Sequence, residues 1–446
     1  MDTMPYTLYP DHIVATKKRM DGARVGDYGY ICIHKPYPMP VMTTTDSAML
    51  LPDAATIDFA RAHAADDVRA LALSAARYPT VDMPLALDQI RGRQIAARKC
   101  PVLARRAGIV YPPHLSMEQC SGQRAAAYKL RLARRLLPPG SREQMVDLTG
   151  GFGIDFLALS LAFRRATYVE LHPRLCAIMR ANLSVLHREA QVVCGDGVAW
   201  LRQMPHADLI YIDPARRDTA GARTYAIGDC TPDVTAIARL LVDKATWVMV
   251  KLSPMLDWHS AVRELGCVAE VHLVSVGGEC KEMLLVLSLQ AATDTPPVYC
   301  VSDTGVCRFD TPDAVPALLL TGAPEPDMCL YEPDAAVMKS GCFGQLCHRY
   351  GVSMVAPHSH LFVSSQPVPR FPGRGFSVVS VSPMNKRALR QALAGIAQAN
   401  IAVRNFPLTV AALRKRLRLA DGGSVYVFAT TLADRSHVLI ICKKIG

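Results

Sequence analysis

The stretch that most constrains this chain runs from Met145 to Asp213, where four short apolar runs each stop at an acid: Asp147, Glu170, Asp196 and Asp213. Helix-like segments separate the runs. Strands alternating with helical crossovers are the pattern of a parallel sheet covered by helices. The alternation predicts seven strands, over 144–149, 166–170, 191–194, 208–213, 245–251, 269–276 and 282–288. Only the short GGECKE loop parts the last two, too little chain for a crossover, so they should form an antiparallel hairpin. The expected fold class is α/β, a Rossmann-like seven-stranded core.

The acids and the glycines between them suggest a ligand. Asp147-Leu148-Thr149-Gly150-Gly151-Phe152-Gly153 follows a strand and opens a helix. Glycine lets backbone approach a ligand closely, and a helix start offers unpaired N–H groups. Taken alone, such a turn is equally a plain strand-to-helix connection. Glu170 lies 17 residues past Gly153, near the ~20 expected of an acid that grips ribose hydroxyls. The third strand ends in Gly195-Asp196-Gly197, where a carboxylate can accept the exocyclic amine of adenine. Together these describe an adenosine pocket across the carboxyl ends of adjacent strands.

At these residues the chain resembles the class I S-adenosylmethionine-dependent methyltransferases. DLTGGFG resembles that family's first motif, YVEL its ribose acid, VCGDG its adenine acid and IDPARR its fourth motif, over residues 144–288. Thr149 stands where many members have the first glycine. The resemblance implies S-adenosyl-L-methionine as cofactor, held by Asp147, Thr149, Gly151, Gly153, Glu170, Asp196, Gly197 and Asp213. A closer likeness rests on SMEQCSGQRAAAYK, TYAIGDCTPDV, VKLSPMLDW and RNFPLTVAALRKRLRLADGG. These resemble a bacterial group of methyltransferases with a small ferredoxin-like segment and a C-terminal THUMP-like domain. THUMP domains bind RNA, so this likeness implies RNA as the substrate class.

The same resemblance puts Asp213 beside the methyl group, facing the acceptor, with Pro214 and Arg216 as further catalytic candidates. A helix-capping carboxylate is the plainer reading of Asp213. Base-amine methylases carry an aromatic residue after Asp-Pro-Pro; here Ala215, Arg216 and Arg217 follow Pro214, and that clamp is missing. DPAR is nearer the motif of uracil-C5 methylases of RNA, which need a cysteine nucleophile at the end of strand five. VKLSPMLDW has none, and Cys280 is the nearest thiol, otherwise a packing residue. Arg216, Arg217 and Lys251 are expected to meet phosphate or the target nucleotide, or else to pair with surface acids such as Asp218 and Asp257. Gln119 and Ser121 could reach the methionine end of the cofactor or simply pack, and Tyr225 could stack on a flipped base.

Charge points the same way. The net charge is +11, and between Arg91 and Arg135 there are 11 Lys or Arg against one acid, Glu118. A second basic stretch from Ile401 onward includes Arg414, Lys415 and Arg416. Concentrated positive charge suits a polyanion, although a solvated surface gives the same pattern. The expected organisation is an irregular extension over 1–45, a helical domain over 46–140 and the methyltransferase domain over 141–289. A linker with the ferredoxin-like segment (290–374) and the THUMP-like domain (375–446) would follow.

The 14 cysteines are scattered singly without a CxxC, which suits reduced thiols in the cytoplasm. Cys342, Cys347 and His348 lack a second ligand pair, so no metal is expected. No charge-free apolar run approaches ~18 residues, so no membrane span is expected. The functional expectation is methylation of a nucleotide in RNA (tRNA or rRNA). The alternatives are a non-catalytic RNA-binding protein on the same scaffold and a methyltransferase for small molecules or proteins.

Overall fold

A computed structural model describes residues 51–216, 227–310 and 315–445; Arg216 is described in its backbone only, and Arg217 and Tyr225 lie outside the described residues. Three helices open the described chain, Ala54–Ala62, Val68–Leu73 and Met83–Lys99. Asp53, Asp67 and Asp82 cap their N-termini by accepting N–H groups of the first turn.

The central sheet contains β1 (Gln144–Asp147), β2 (Arg165–Glu170), β3 (Gln191–Cys194), β4 (Ala207–Ile212), β5 (Ala245–Leu252), β6 (Val268–Val276) and β7 (Glu279–Leu287). Strands β1 to β5 pair in parallel, and β7 inserts antiparallel between β5 and β6 as the hairpin requires. Two further strands, β8 (Val298–Ser302) and β9 (Gly305–Phe309), extend it, giving the order β9-β8-β6-β7-β5-β4-β1-β2-β3. The sequence reading left these two in a linker. Both are five residues long and follow Pro296-Pro297, so neither shows a strand's period. Burial of Val298, Cys300, Cys307 and Phe309 in the main core holds them in place.

Alternation divides the sheet's side chains between two layers. Met145, Tyr168, Leu209, Tyr211, Met249, Leu284 and Val286 face the helix Gln123–Leu136, which buries Ala125, Tyr128, Leu132 and Ala133 against them. Val146, Ile210, Ile212, Val248 and Val250 face the opposite way, onto helices Val234–Lys244 and Trp258–Leu265. Asp213 and Lys251 continue the alternation of the first layer, one step past Tyr211 and Met249, so they project from the edge on the side of helix Gln123–Leu136.

A second, seven-stranded sheet follows: β10 (Cys329–Pro333), β11 (Ser353–Met354), β12 (Phe362–Ser364), β13 (Gly373–Pro383), β14 (Asn400–Arg404), β15 (Val425–Thr431) and β16 (His437–Lys444). Its order is β11-β12-β10-β13-β16-β15-β14. Buried Glu332 on β10 accepts Arg374 of β13 and Arg404 of β14, clasping three strands.

Candidate active site

The four acids stand at the carboxyl edge of the central sheet. Asp147 ends β1, buried, with Oδ1 accepting the Thr149 N–H at 3.0 Å. Burial pushes its carboxyl well above the usual range. The glycine turn then leads into helix Ile154–Leu159, with Gly153 at φ +83° as the N-cap. That left-handed conformation favours glycine.

Glu170 ends β2 and reaches across to the turn: Oε2 accepts Gly151 N–H at 2.9 Å and Oε1 accepts His172 N–H at 2.8 Å. Each oxygen keeps a second lone pair, the chemistry a ribose diol needs. Asp196, exposed after β3, caps helix Gly197–Gln203 through Ala199 N–H at 2.7 Å. The helix starts close under the first loop, since a Cβ on Gly197 would lie 2.2 Å from the Leu148 carbonyl oxygen. Closely approached backbone and carboxylates on neighbouring strand ends fit an adenosyl group.

Thr149, the departure from a glycine-first motif, has a structural role. Its Oγ1 accepts the Asp213 N–H at 2.7 Å, tying the glycine turn to the end of β4. Asp213 Oδ2 in turn accepts Lys251 Nζ from β5. Pro214 is buried beside it, and Ala215–Arg216 form a two-residue ladder with Cys230–Thr231. Thus Asp213 is not a helix cap; its carboxylate is held by a lysine.

Behind this pair lies a polar network that sequence reading missed. Lys129, fully buried on helix Gln123–Leu136, donates to Asp155 Oδ1 at 2.9 Å, Glu282 Oε2 at 2.8 Å and Ser121 Oγ at 2.9 Å. Asp155 Oδ2 accepts the hydroxyls of Ser121 and Tyr211, both at 2.7 Å. Burial opposes ionisation of Asp155, but Lys129 and Lys251 outweigh it and hold its carboxyl below the usual range. Burial wins at Asp213, raising its carboxyl against the pull of Lys251. Burial also opposes the charge on Lys251, yet Asp213, Asp155 and Glu282 keep it firmly protonated. The available signal was Lys129 itself, a lysine on the apolar stripe of Ala125, Tyr128 and Leu132. A cation there needs buried carboxylates.

Other expected residues fall elsewhere. Lys251 belongs to this network and not to an open basic face. Ser121 is buried in the network, whereas Gln119 is exposed. Cys280 is half-buried and its thiol is pushed up to about 11 by burial, the wrong direction for a nucleophile. Arg414 donates to the Ala399 and Ala420 carbonyls and to Asp421, while Lys415 and Arg416 are exposed. In the basic stretch, Lys99 donates to the carbonyls of Met117, Glu118 and Cys120, and Arg135 pairs with Glu270. Among the described residues no group of His, Cys, Asp and Glu is placed to hold a metal, no two cysteines are joined in a disulfide, and no helix is long and apolar enough to cross a membrane.

Comparison with known proteins places this geometry. Residues 373–444 match the family model of a THUMP domain-like unit, and residues 330–372 match that of a ferredoxin-like domain. An uncharacterised S-adenosylmethionine-dependent methyltransferase of Mycobacterium tuberculosis (strain ATCC 25618 / H37Rv) is 27% identical over 312 residues, 67% of this chain and 80% of that one. Ribosomal RNA small subunit methyltransferase J of Laribacter hongkongensis (strain HLHK9) is 35% identical over 100 residues, 20% of this chain and 36% of that one. A crystal structure from Porphyromonas gingivalis W83, assigned to the methyltransferases, is 31% identical with a TM-score of 0.77 and covers 90% of this chain and 99% of that one. With that fold, that coverage and an edge built for an adenosyl group, the chain belongs to the S-adenosylmethionine-dependent methyltransferases that carry ferredoxin-like and THUMP-like segments.

Proposed function

We propose that the protein transfers a methyl group from S-adenosylmethionine to a nucleotide of RNA. The observation that carries the transfer is the Asp213–Lys251 pair, fixed through Thr149 to the glycine turn. The cofactor supplies an electrophilic methyl carbon bound to a sulfonium. Glu170 holds the ribose hydroxyls, Asp196 meets the adenine amine, and Asp147, Thr149, Gly151, Gly153 and Gly197 form the cradle.

Asp213 then faces the acceptor beside Pro214, and Arg216 is a further catalytic candidate in this reading. Such a transfer depends mainly on positioning the acceptor atom within about 3–3.5 Å of the methyl carbon and on removing its proton. Asp213, raised by burial, is suited to take that proton. With Cys280 held as a thiol, no covalent addition to the base is invoked.

RNA as substrate is supported by the identity to a ribosomal RNA methyltransferase, the THUMP-like segment and the excess of basic residues. Lys415 and Arg416, exposed on helix Val410–Leu417, and Arg217 are the phosphate contacts in this reading; Arg414 orients that helix. Comparing modified nucleosides by mass spectrometry in cells with and without the gene tests it. A missing methylated nucleoside in rRNA or tRNA is the expected result, and unchanged RNA with a changed small-molecule or protein methylation profile would reject it.

A further inference from the structure

Five ionisable side chains gather at the carboxyl edge of the sheet: the pair Asp213–Lys251 and the triad Lys129–Asp155–Glu282. Every element packed there contributes. Helix Gln123–Leu136 brings Lys129, and the turn before it brings Cys120 and Ser121. Helix Ile154–Leu159 brings Asp155; β1, β4, β5 and β7 bring Asp147, Tyr211, Lys251 and Glu282. Cys120 stays a neutral thiol, pushed up to about 11 by burial. Within the two bonded sets, three carboxylates face two ammoniums. Fully ionised, they carry one negative charge in excess.

Asp155 and Glu282 are buried and Asp213 is half-buried, so water screens the excess poorly and a proton or an incoming cation relieves it. The cluster shows where it is left over. Glu282 Oε1 is buried with no hydrogen-bond partner among the described residues, although Oε2 receives Lys129. Burial raises the carboxyls of Glu282 and Asp213; that of Asp147, pushed well above the usual range, is counted as already neutral. Asp213 is hydrogen-bonded to the glycine turn through Thr149, which puts the cluster next to the donor's seat.

The methyl donor is a sulfonium cation, and its demethylated product is neutral at sulfur. We infer that the cluster is a charge-matched seat that tells the donor from the spent product. The sulfonium balances the excess charge while the donor is bound, and one proton balances it once the methyl group has gone. The inference rests on the methyl-donor reading above. The acceptor's lone pair forms the new bond to the methyl carbon, and the carbon–sulfur electron pair stays on sulfur. The proton shed by the acceptor goes to a carboxylate of the cluster, entering at Asp213. Lys129 and Glu282 are positioning residues: they set the charge of the site without touching the acceptor.

The test needs no acceptor. The purified protein is titrated calorimetrically with S-adenosylmethionine and with S-adenosylhomocysteine, between pH 6 and 8, in buffers of different ionisation heat. The product should bind with greater proton uptake than the donor, the difference approaching one proton. The ratio of product Kd to donor Kd should rise with pH, by up to about tenfold per unit. The sulfonium lowers the donor's own ammonium relative to the product's, so each ligand's titration in free solution is subtracted from its proton uptake. In Glu282→Gln the charges are even, so the difference in proton uptake should vanish and the donor should lose affinity relative to the product. Equal proton uptake by the wild-type protein with a pH-independent ratio would overturn the inference while leaving the methyl-donor reading standing. Failure to bind either ligand would overturn both.

Discussion

The Thr149 hydroxyl accepts the backbone N–H of Asp213 at 2.7 Å, so the loop after β1 is tied to the end of β4. Thr149→Val keeps the shape and removes the acceptor, leaving the Asp213 N–H unmet. The expected loss is about 1–3 kcal/mol, the cost of a partly buried unsatisfied donor. Weaker binding of S-adenosylmethionine should accompany it, and Thr149→Ser should restore both. Chemical denaturation and calorimetry measure the two effects, and a fully stable Thr149→Val with normal binding would dismiss the tie.

Asp196 caps its helix and, in the proposed reading, meets the adenine amine, and substitution can separate the two. Asparagine is as good a helix N-cap as aspartate, whereas alanine is not. Asp196→Asn should therefore leave the unfolding midpoint in place and weaken cofactor binding, and Asp196→Ala should lower both. Glu170→Gln, which keeps one acceptor oxygen, should weaken binding by tenfold or more, about 1.4 kcal/mol, if the ribose grip is as described. Unchanged binding in both Asp196→Asn and Glu170→Gln would remove the adenosine assignment.

Lys129→Met leaves Asp155 and Glu282 buried without their cation. Breaking a buried pair from one side costs about 3–5 kcal/mol. The penalty should shrink as pH falls, because protonating the orphaned carboxyls removes the buried charge. Urea unfolding at pH 7.5 and pH 5 shows whether it does. A pH-independent penalty would mean that lost packing, and not charge, sets the cost.

The acid limb of stability should depend on Glu270. Burial opposes its ionisation, yet bonds from His272 and Arg135 hold its carboxyl at about 2. A depressed carboxyl stabilises the fold above its unfolded value near 4.5, and the contribution disappears as pH falls toward 2. Glu270→Gln should therefore lower the unfolding midpoint above that window and flatten its fall across it. An unaltered acid limb would refute the assignment.

RNA affinity should fall linearly with the logarithm of salt concentration. Lys415→Gln and Arg416→Gln should each reduce that slope by about one unit if each meets a phosphate. Arg414→Gln should instead lower the unfolding midpoint, since its guanidinium serves the Ala399 and Ala420 carbonyls. Binding that ignores salt would reject the RNA reading.

Most of the donor half of the site was legible because its signals are local. Strand ends, a glycine turn and an acid at a set spacing are all within one stretch, and the strands expected from Gln144 to Ser288 recur within a few residues. The acceptor half depends on contacts between distant parts of the chain. Lys129 and Glu282 are 153 residues apart, and nothing near either one announces the other. The basic run was legible only in part, since composition cannot tell a cation facing solvent, such as Arg105, from one spent on carbonyls, such as Lys99. Strands β8 and β9 were hidden because a short edge strand is held by its neighbours more than by its own pattern.

Strand β13 hydrogen-bonds β10 along one side and β16 along the other. The boundary between the ferredoxin-like and THUMP-like matches, at residues 372 and 373, therefore falls at the start of a central strand. Neither match is a portable cassette. Cutting there would bare the stretch of β13 from Gly373 to Ser377 that pairs with β10 on one piece and unclasp Glu332 on the other, so recombination or truncation can preserve this part of the protein only by taking it whole.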